Sequence, residues 1–134
     1  RDKNKLRRNA IDFIKTFMEK IPQDKIVITE GTFISPDVAI NEFDLSCVKL
    51  AIIGYPNADI EQKIHDIRKY NRGVSPLRNK PDEQLRPIVQ NYINISRQYQ
   101  NFACEHGLAF IDTSHDYHGA IDEFAANIAD FLNE

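Results

Sequence analysis

Apolar positions recur along this chain with two different spacings, and the alternation between them predicts its elements. From Asp2 to Ile21 the residues Leu6, Ala10, Phe13, Ile14, Phe17, Met18 and Ile21 return at helical intervals between charged side chains, which predicts an amphipathic helix ended by Pro22. Lys25-Ile26-Val27-Ile28-Thr29-Glu30-Gly31 is short and rich in β-branched residues, as in a strand buried on both faces of a parallel sheet. Residues 32–44 are too mixed for a strand and are broken by Pro36, so a loop with a short helix is expected. Val48 to Gly54 repeats the apolar-run-plus-glycine pattern and predicts a second strand.

Asn57 or Asp59 then caps a helix with Ile60, Ile64, Ile67 and Tyr70 on its apolar stripe. Between Asn71 and Pro81 the periodicity fails and the residues are turn-forming and basic. Pro81 to His106 reads as a long helix that begins or kinks near Pro87 and stops at Gly107. Leu108 to Thr113 is a third short strand, and a last helix runs from about Gly119 to Leu132. Helices alternating with short covered strands imply a three-layer α/β domain with a parallel sheet, residues 1–134 forming one domain. Three strands make a thin sheet, and the first residue is Arg1, so a further part is expected to precede this chain.

Composition narrows the function classes. A net charge of -3 over 134 residues offers no basic stripe, so nucleic acid is not an expected partner. No apolar run approaches bilayer length, so no membrane is expected either. Arg1-Asp2-Lys3-Asn4-Lys5 leads into an amphipathic segment without the apolar core of a secretory signal. Cys47 and Cys104 are far apart and share no metal-ligand spacing, which suits two buried thiols in a reducing, cytoplasmic setting. An incomplete sheet would leave an edge open to pairing, which makes a homo-oligomer a partner to consider.

Four features carry candidate chemistry. Glu30 stands at the carboxyl end of an expected parallel strand, where it either reaches ligand or metal or simply caps a turn in water. The basic side of the first helix, Lys3, Lys5, Arg7 and Arg8, reads as a solvated face. The loop at about 71–81 is either a plain surface loop or a lid that orders over an anionic ligand through Arg72, Arg78 and Lys80. Asp112, His115, Asp116 and His118 follow the last strand, a polar setting in any fold, and no second ligand group lies at motif spacing elsewhere. A Gly-x-Ser-x-Gly nucleophile elbow is absent, which removes the matching hydrolase class.

Taken in succession, these segments resemble the C-terminal half of P-loop kinases of the nucleoside-monophosphate-kinase type. The resemblance is carried by Ile28-Thr29-Glu30-Gly31, by Lys49-Leu50-Ala51-Ile52-Ile53-Gly54-Tyr55-Pro56-Asn57 leading into a helix with Lys63 and Arg68, and by Lys80-Pro81-Asp82-Glu83-Gln84-Leu85. It continues through Asn91-Tyr92-Ile93-Asn94-Ile95-Ser96 and Phe110-Ile111-Asp112-Thr113-Ser114, and so covers nearly the whole chain in order. The resemblance implies ATP and Mg²⁺ as cofactors and a small-molecule phosphate acceptor as substrate. It implies that Glu30 holds Mg²⁺ or activates the acceptor, that Arg68, Arg72 and Arg78 neutralise transferring phosphates, and that Asp112, Thr113 and Ser114 lie near the adenine. The departure from the family is large, because no Gly-x-x-x-x-Gly-Lys-[Ser/Thr] occurs and the five glycines are scattered at 31, 54, 73, 107 and 119. Without that loop the β- and γ-phosphates lose their cradle of backbone N–H groups. This chain alone is therefore expected to be inactive, and the alternative is a non-catalytic nucleotide-binding or interaction domain on the same scaffold.

Overall fold

The computed structural model describes residues 2–22, 24–70, 77 and 79–131. Most of the lid-like loop expected at 71–81, Arg72 and Arg78 included, lies outside the described residues, as does Leu132. Contacts divide the chain into two compact units, residues 1–50 with 131–134, and residues 51–130.

In the first unit, α1 spans Lys3–Met18 and α2 spans Pro36–Glu42. Asp2 caps α1, its Oδ1 accepting from the Asn4 and Lys5 amides at 3.0 and 3.3 Å. The helix stops at Met18, earlier than expected, and the chain tightens through i→i−3 bonds from Lys20 and Ile21, since the residue before Pro22 disfavours the helical region. The face that α1 buries is also displaced from the expected stripe. Ile11 and Ile14 are buried, whereas Phe13 is 70% exposed and stacks on Phe17 in solvent. Pro36 starts α2 at a position where its missing N–H costs nothing, and Ala39 is fully buried as the two helices pack.

The strand expected at 26–30 does not form. Residues 25–30 make no ladder among the described residues and all six are exposed, Ile28 to 85%. A β-branched run is suited to a pleated, covered surface, but its N–H and C=O groups need a neighbouring strand, and none pairs with it among the described residues.

In the second unit, β1 (Ala51–Gly54) and β2 (Ala109–Asp112) pair in parallel, Ala51 opposite Ala109 and Gly54 opposite Asp112. The connection is a helical hairpin, α3 (Ile60–Tyr70) and α4 (Asp82–His106). Asp59 provides the α3 cap through the Gln62 amide at 2.8 Å. Ile64, Leu85, Val89 and Ile93 form the buried centre of the hairpin, and α4 continues along both strands. Tyr70, expected on the apolar stripe of α3, is 63% exposed instead. Pro87 lies inside α4 rather than at its start, on the solvent side, where the carbonyl that loses its helical donor still meets water. At the far end Gly107 takes φ 64°, and the Gly107 and Leu108 amides return to Cys104 and Ala103 in a Schellman closure. That closure turns the chain directly into β2. The last helix, α5 (Tyr117–Phe131), begins two residues before Gly119 because Asp116 caps it, its Oδ1 accepting from the Gly119 amide at 2.9 Å.

The molecule is thus mixed α/β and mainly helical, with a two-stranded parallel sheet among the described residues. Neither cysteine is buried. Cys47 sits in an exposed turn, its thiol donating to the Asp44 carbonyl at 3.4 Å, and Cys104 lies on the outer side of α4 beside buried Ala103. No helix among the described residues is long and apolar enough to cross a membrane.

Candidate functional site

Parallel strands that end together leave their last carbonyls and the turns after them at one edge, and ligands of open α/β sheets bind there. In this chain β1 ends in Gly54-Tyr55-Pro56-Asn57 and β2 in Asp112-Thr113-Ser114. Thr113 laces the two strand ends together, its amide and its hydroxyl both donating to the Gly54 carbonyl, at 2.8 and 3.0 Å. Gly54 permits this approach. A Cβ there would lie 2.7 Å from Phe110 Cζ and 3.2 Å from Ser96 Cβ.

Asn57 completes the cluster. Its amide N–H donates to Ser114 Oγ at 2.9 Å and its Nδ2 to Asp112 Oδ2 at 3.2 Å. Asp112 Oδ1 accepts from the Ser114 amide at 2.9 Å and from the Ser114 hydroxyl. Burial pushes the Asp112 carboxyl up, but these Ser114 and Asn57 bonds, with the charge of His115, outweigh it and hold the carboxyl below its ordinary value. Asp112 is therefore an ionised acceptor with both oxygens engaged. Thr113 is likewise engaged by the Gly54 carbonyl and Ser114 by Asn57 and Asp112, so what this edge offers a ligand is main-chain carbonyls and shape.

Two basic residues flank the β1 turn. Lys63 Nζ lies 4.2 Å from the centroid of the Tyr55 ring, and Arg97 Nε donates to the Pro56 carbonyl at 2.8 Å. Burial raises the Tyr55 phenol above its usual range, with Tyr92 adding to the effect, so the ring under Lys63 stays neutral.

The residues expected from the sequence are placed as follows. Asp112, Thr113 and Ser114 come together as described. Arg68 lies at the opposite end of the hairpin, donating to the Lys80 carbonyl and paired with Asp82 at 2.6 Å. The fifteen positions of α4 from Asp82 to Arg97 span about 22 Å at ~1.5 Å per residue, which sets the scale of its distance from the strand ends. Glu30 is exposed in the first unit. Asp112, His115, Asp116 and His118 form no metal-ligand group, and none occurs among the described residues.

Asn57 and Arg97 were not singled out as site residues by sequence. Asn57 reads as one of two candidate helix caps, and of the two it is Asp59 that takes the role. Arg97 left a usable signal, since it is the one charged residue between Arg86 and Glu105.

A cleft of about 410 Å³ in the first unit is lined by Arg8, Ile11, Asp12, Asp37, Val38, Asn41 and Glu42. Its polar groups are largely committed: Glu42 to Lys15 at 2.7 Å, Asn41 to the Asp37 carbonyl at 2.9 Å, and Asp37 to Ser35. The edge formed by Asn57, Asp112 and Ser114 is the stronger candidate. No family model, curated protein or solved structure matches this chain.

Proposed function

We propose that the chain is part of an ATP-dependent phosphotransferase acting on a small molecule, within a three-layer P-loop kinase-like domain. The observation that carries the reading is the closed polar turn Asp112-Thr113-Ser114, locked to Asn57 at the carboxyl ends of two parallel strands. That is where an α/β domain binds nucleotide. The hairpin joining those strands supports it, because the basic sequence 71–81 lies between its two helices, α3 and α4, along the chain.

Phosphoryl transfer consists mainly of positioning and of charge stabilisation by metal and cations. Glu30 supplies the carboxylate toward Mg²⁺ or the acceptor hydroxyl. One exposed carboxylate fits that share, since Mg²⁺ is usually held by one or two carboxylates together with substrate phosphates and waters. Arg68, Arg72 and Arg78 supply positive charge when the lid closes, and for Arg68 this means exchanging Asp82 for phosphate. The main chain of Asp112, Thr113 and Ser114 faces the adenine. A second reading, a non-catalytic nucleotide-binding or interaction domain, is favoured by the absence of a phosphate loop from these 134 residues.

The test is calorimetric titration of Mg-ATP into the protein purified from its source, with intact mass measured on the same sample. Binding by a protein heavier than 15.5 kDa supports the kinase reading, and Glu30→Gln should then lower turnover by about 10²-fold or more with the fold intact. Binding without turnover at 15.5 kDa selects the second reading. Absence of ATP binding overturns the kinase reading and the nucleotide-binding form of the second, and leaves an interaction domain on the same scaffold.

A further inference from the structure

We infer that Arg97 is a positioning residue of the strand-end site, holding the Pro56–Asn57 peptide so that Asn57 fixes the turn a nucleotide base meets. The inference rests on the nucleotide-binding reading above. Its basis is one peptide plane. The Pro56 carbonyl and the Asn57 N–H belong to the same rigid unit and point to opposite sides of it. Arg97 Nε donates to that carbonyl at 2.8 Å, and that N–H donates to Ser114 Oγ at 2.9 Å.

The plane is thus held from both sides, by α4 at one edge and by the β2 turn at the other. A charged donor on the oxygen also polarises the amide and strengthens the bond that the N–H gives. Asn57 then reaches Asp112 through its side chain at 3.2 Å, so the orientation of this one peptide is passed to both residues of the β2 turn. The other described arginines of the hairpin behave differently. Arg68 pairs with Asp82 and Arg86 with Glu61, whereas Arg97 is in no ion pair among the described residues and its polar partner is a main-chain carbonyl. The surroundings in α4 agree: Arg97 stands alone as a charge between Arg86 and Glu105, next to buried Ser96.

The test compares Arg97→Ala and Arg97→Lys with the unaltered protein, using ¹⁵N amide shifts without ligand and dissociation constants for adenosine and for Mg-ATP. Expected for Arg97→Ala is an upfield move of the Asn57 amide, a melting midpoint within a few degrees of the original, and about tenfold weaker binding of both ligands by the same factor. Arg97→Lys, which can still donate to the carbonyl, should recover part of the loss. Weakening of ATP but not of adenosine would show a direct phosphate contact and overturn the inference, as would undiminished binding of both. If the unaltered protein binds neither ligand, it is the nucleotide reading that fails.

Discussion

Two stretches of nearly the same composition meet different fates in this molecule. Ile26-Val27-Ile28 and Ala51-Ile52-Ile53 are both short, apolar and followed closely by a glycine, yet the first is exposed and unpaired among the described residues while the second is a strand with Ile52 buried. What separates them is the chain that follows. After β1 comes a helical hairpin long enough to return a second strand alongside, and α4 covers the resulting pair. After residue 30 comes a turn and the seven-residue α2, which returns none. Strand-like sequence specifies a surface that wants covering, and topology decides whether the cover arrives.

The largest expected effect tests that contrast directly. Leu85 is fully buried at the centre of the hairpin, so Leu85→Ala should cost ~2–5 kcal/mol in denaturant unfolding of the second unit. Ile28→Thr, at a side chain 85% exposed, should stay within ~0.5 kcal/mol. A loss of several kcal/mol from Ile28→Thr would break the comparison by showing that the run is covered in solution.

The glycines that close the two runs sharpen it. A Cβ at Gly54 would press on Phe110 and Ser96, while at Gly31 the nearest atom, Ile34 Cγ1, is 4.0 Å away. Gly54→Ala should therefore cost ~1–3 kcal/mol. Gly31→Ala should be neutral or slightly stabilising, by ~0.4–1 kcal/mol, because it restricts only the unfolded chain. Equal effects at the two sites would mean that both glycines are packed alike.

These particulars also mark what the sequence could convey. Periodicity located four of the five helices among the described residues and both paired strands, because 3.6-residue spacing and short apolar runs are local properties, while α2 was expected only as a short helix within a loop broken by Pro36. It placed Ile14 correctly on the buried face of α1 but missed Ile11, and it took Phe13 and Phe17 as core by type although both remain exposed with α1 and α2 in contact. It also took the cysteines as buried, although Cys104 falls one position past the buried stripe of α4 that passes through Ala103. At the candidate site, Asp112, Thr113 and Ser114 were named through the family resemblance, as the segment that follows the last strand. Asn57 and Arg97 were not, because their partners lie 55 and 57 residues away for one and 41 for the other. Contacts of that range are invisible to any local pattern.

Asp112 gives the next effect in size. Its carboxyl is held below its ordinary value, so the folded state binds that proton less readily than the unfolded chain. The resulting stability is present above the unfolded carboxyl value of about 3.9 and is lost as pH falls through the lower folded value. Asp112→Asn should cost about 1 kcal/mol at neutral pH, the net worth of a hydrogen-bonded acceptor at a partly exposed site. The gap from the unaltered protein should close below about pH 4 in pH-dependent melts. A gap independent of pH would show that the Asn57 and Ser114 bonds do not depend on the ionised carboxylate.

The smallest effect belongs to the first unit, and its smallness is what makes it informative. Lys15 and Glu42 join α1 to α2 at 2.7 Å, but their side chains are 43% and 44% exposed, so water and salt screen the pair. Their hydrogen bond and mutual attraction hold the Glu42 carboxyl below and the Lys15 amine above their ordinary values. In Lys15→Ala the Glu42 carboxyl should titrate closer to the ordinary carboxylate range by carbon NMR, while the melting midpoint stays where it was. That pairing of results would place the hold of α1 on α2 in Ile11, Ile14 and Ala39, as burial in the second unit places its hold in Leu85 and its neighbours. A clear fall in the midpoint would instead make the first unit dependent on an exposed charge pair, and the two units would then differ in what binds their helices as well as in whether their strands find partners.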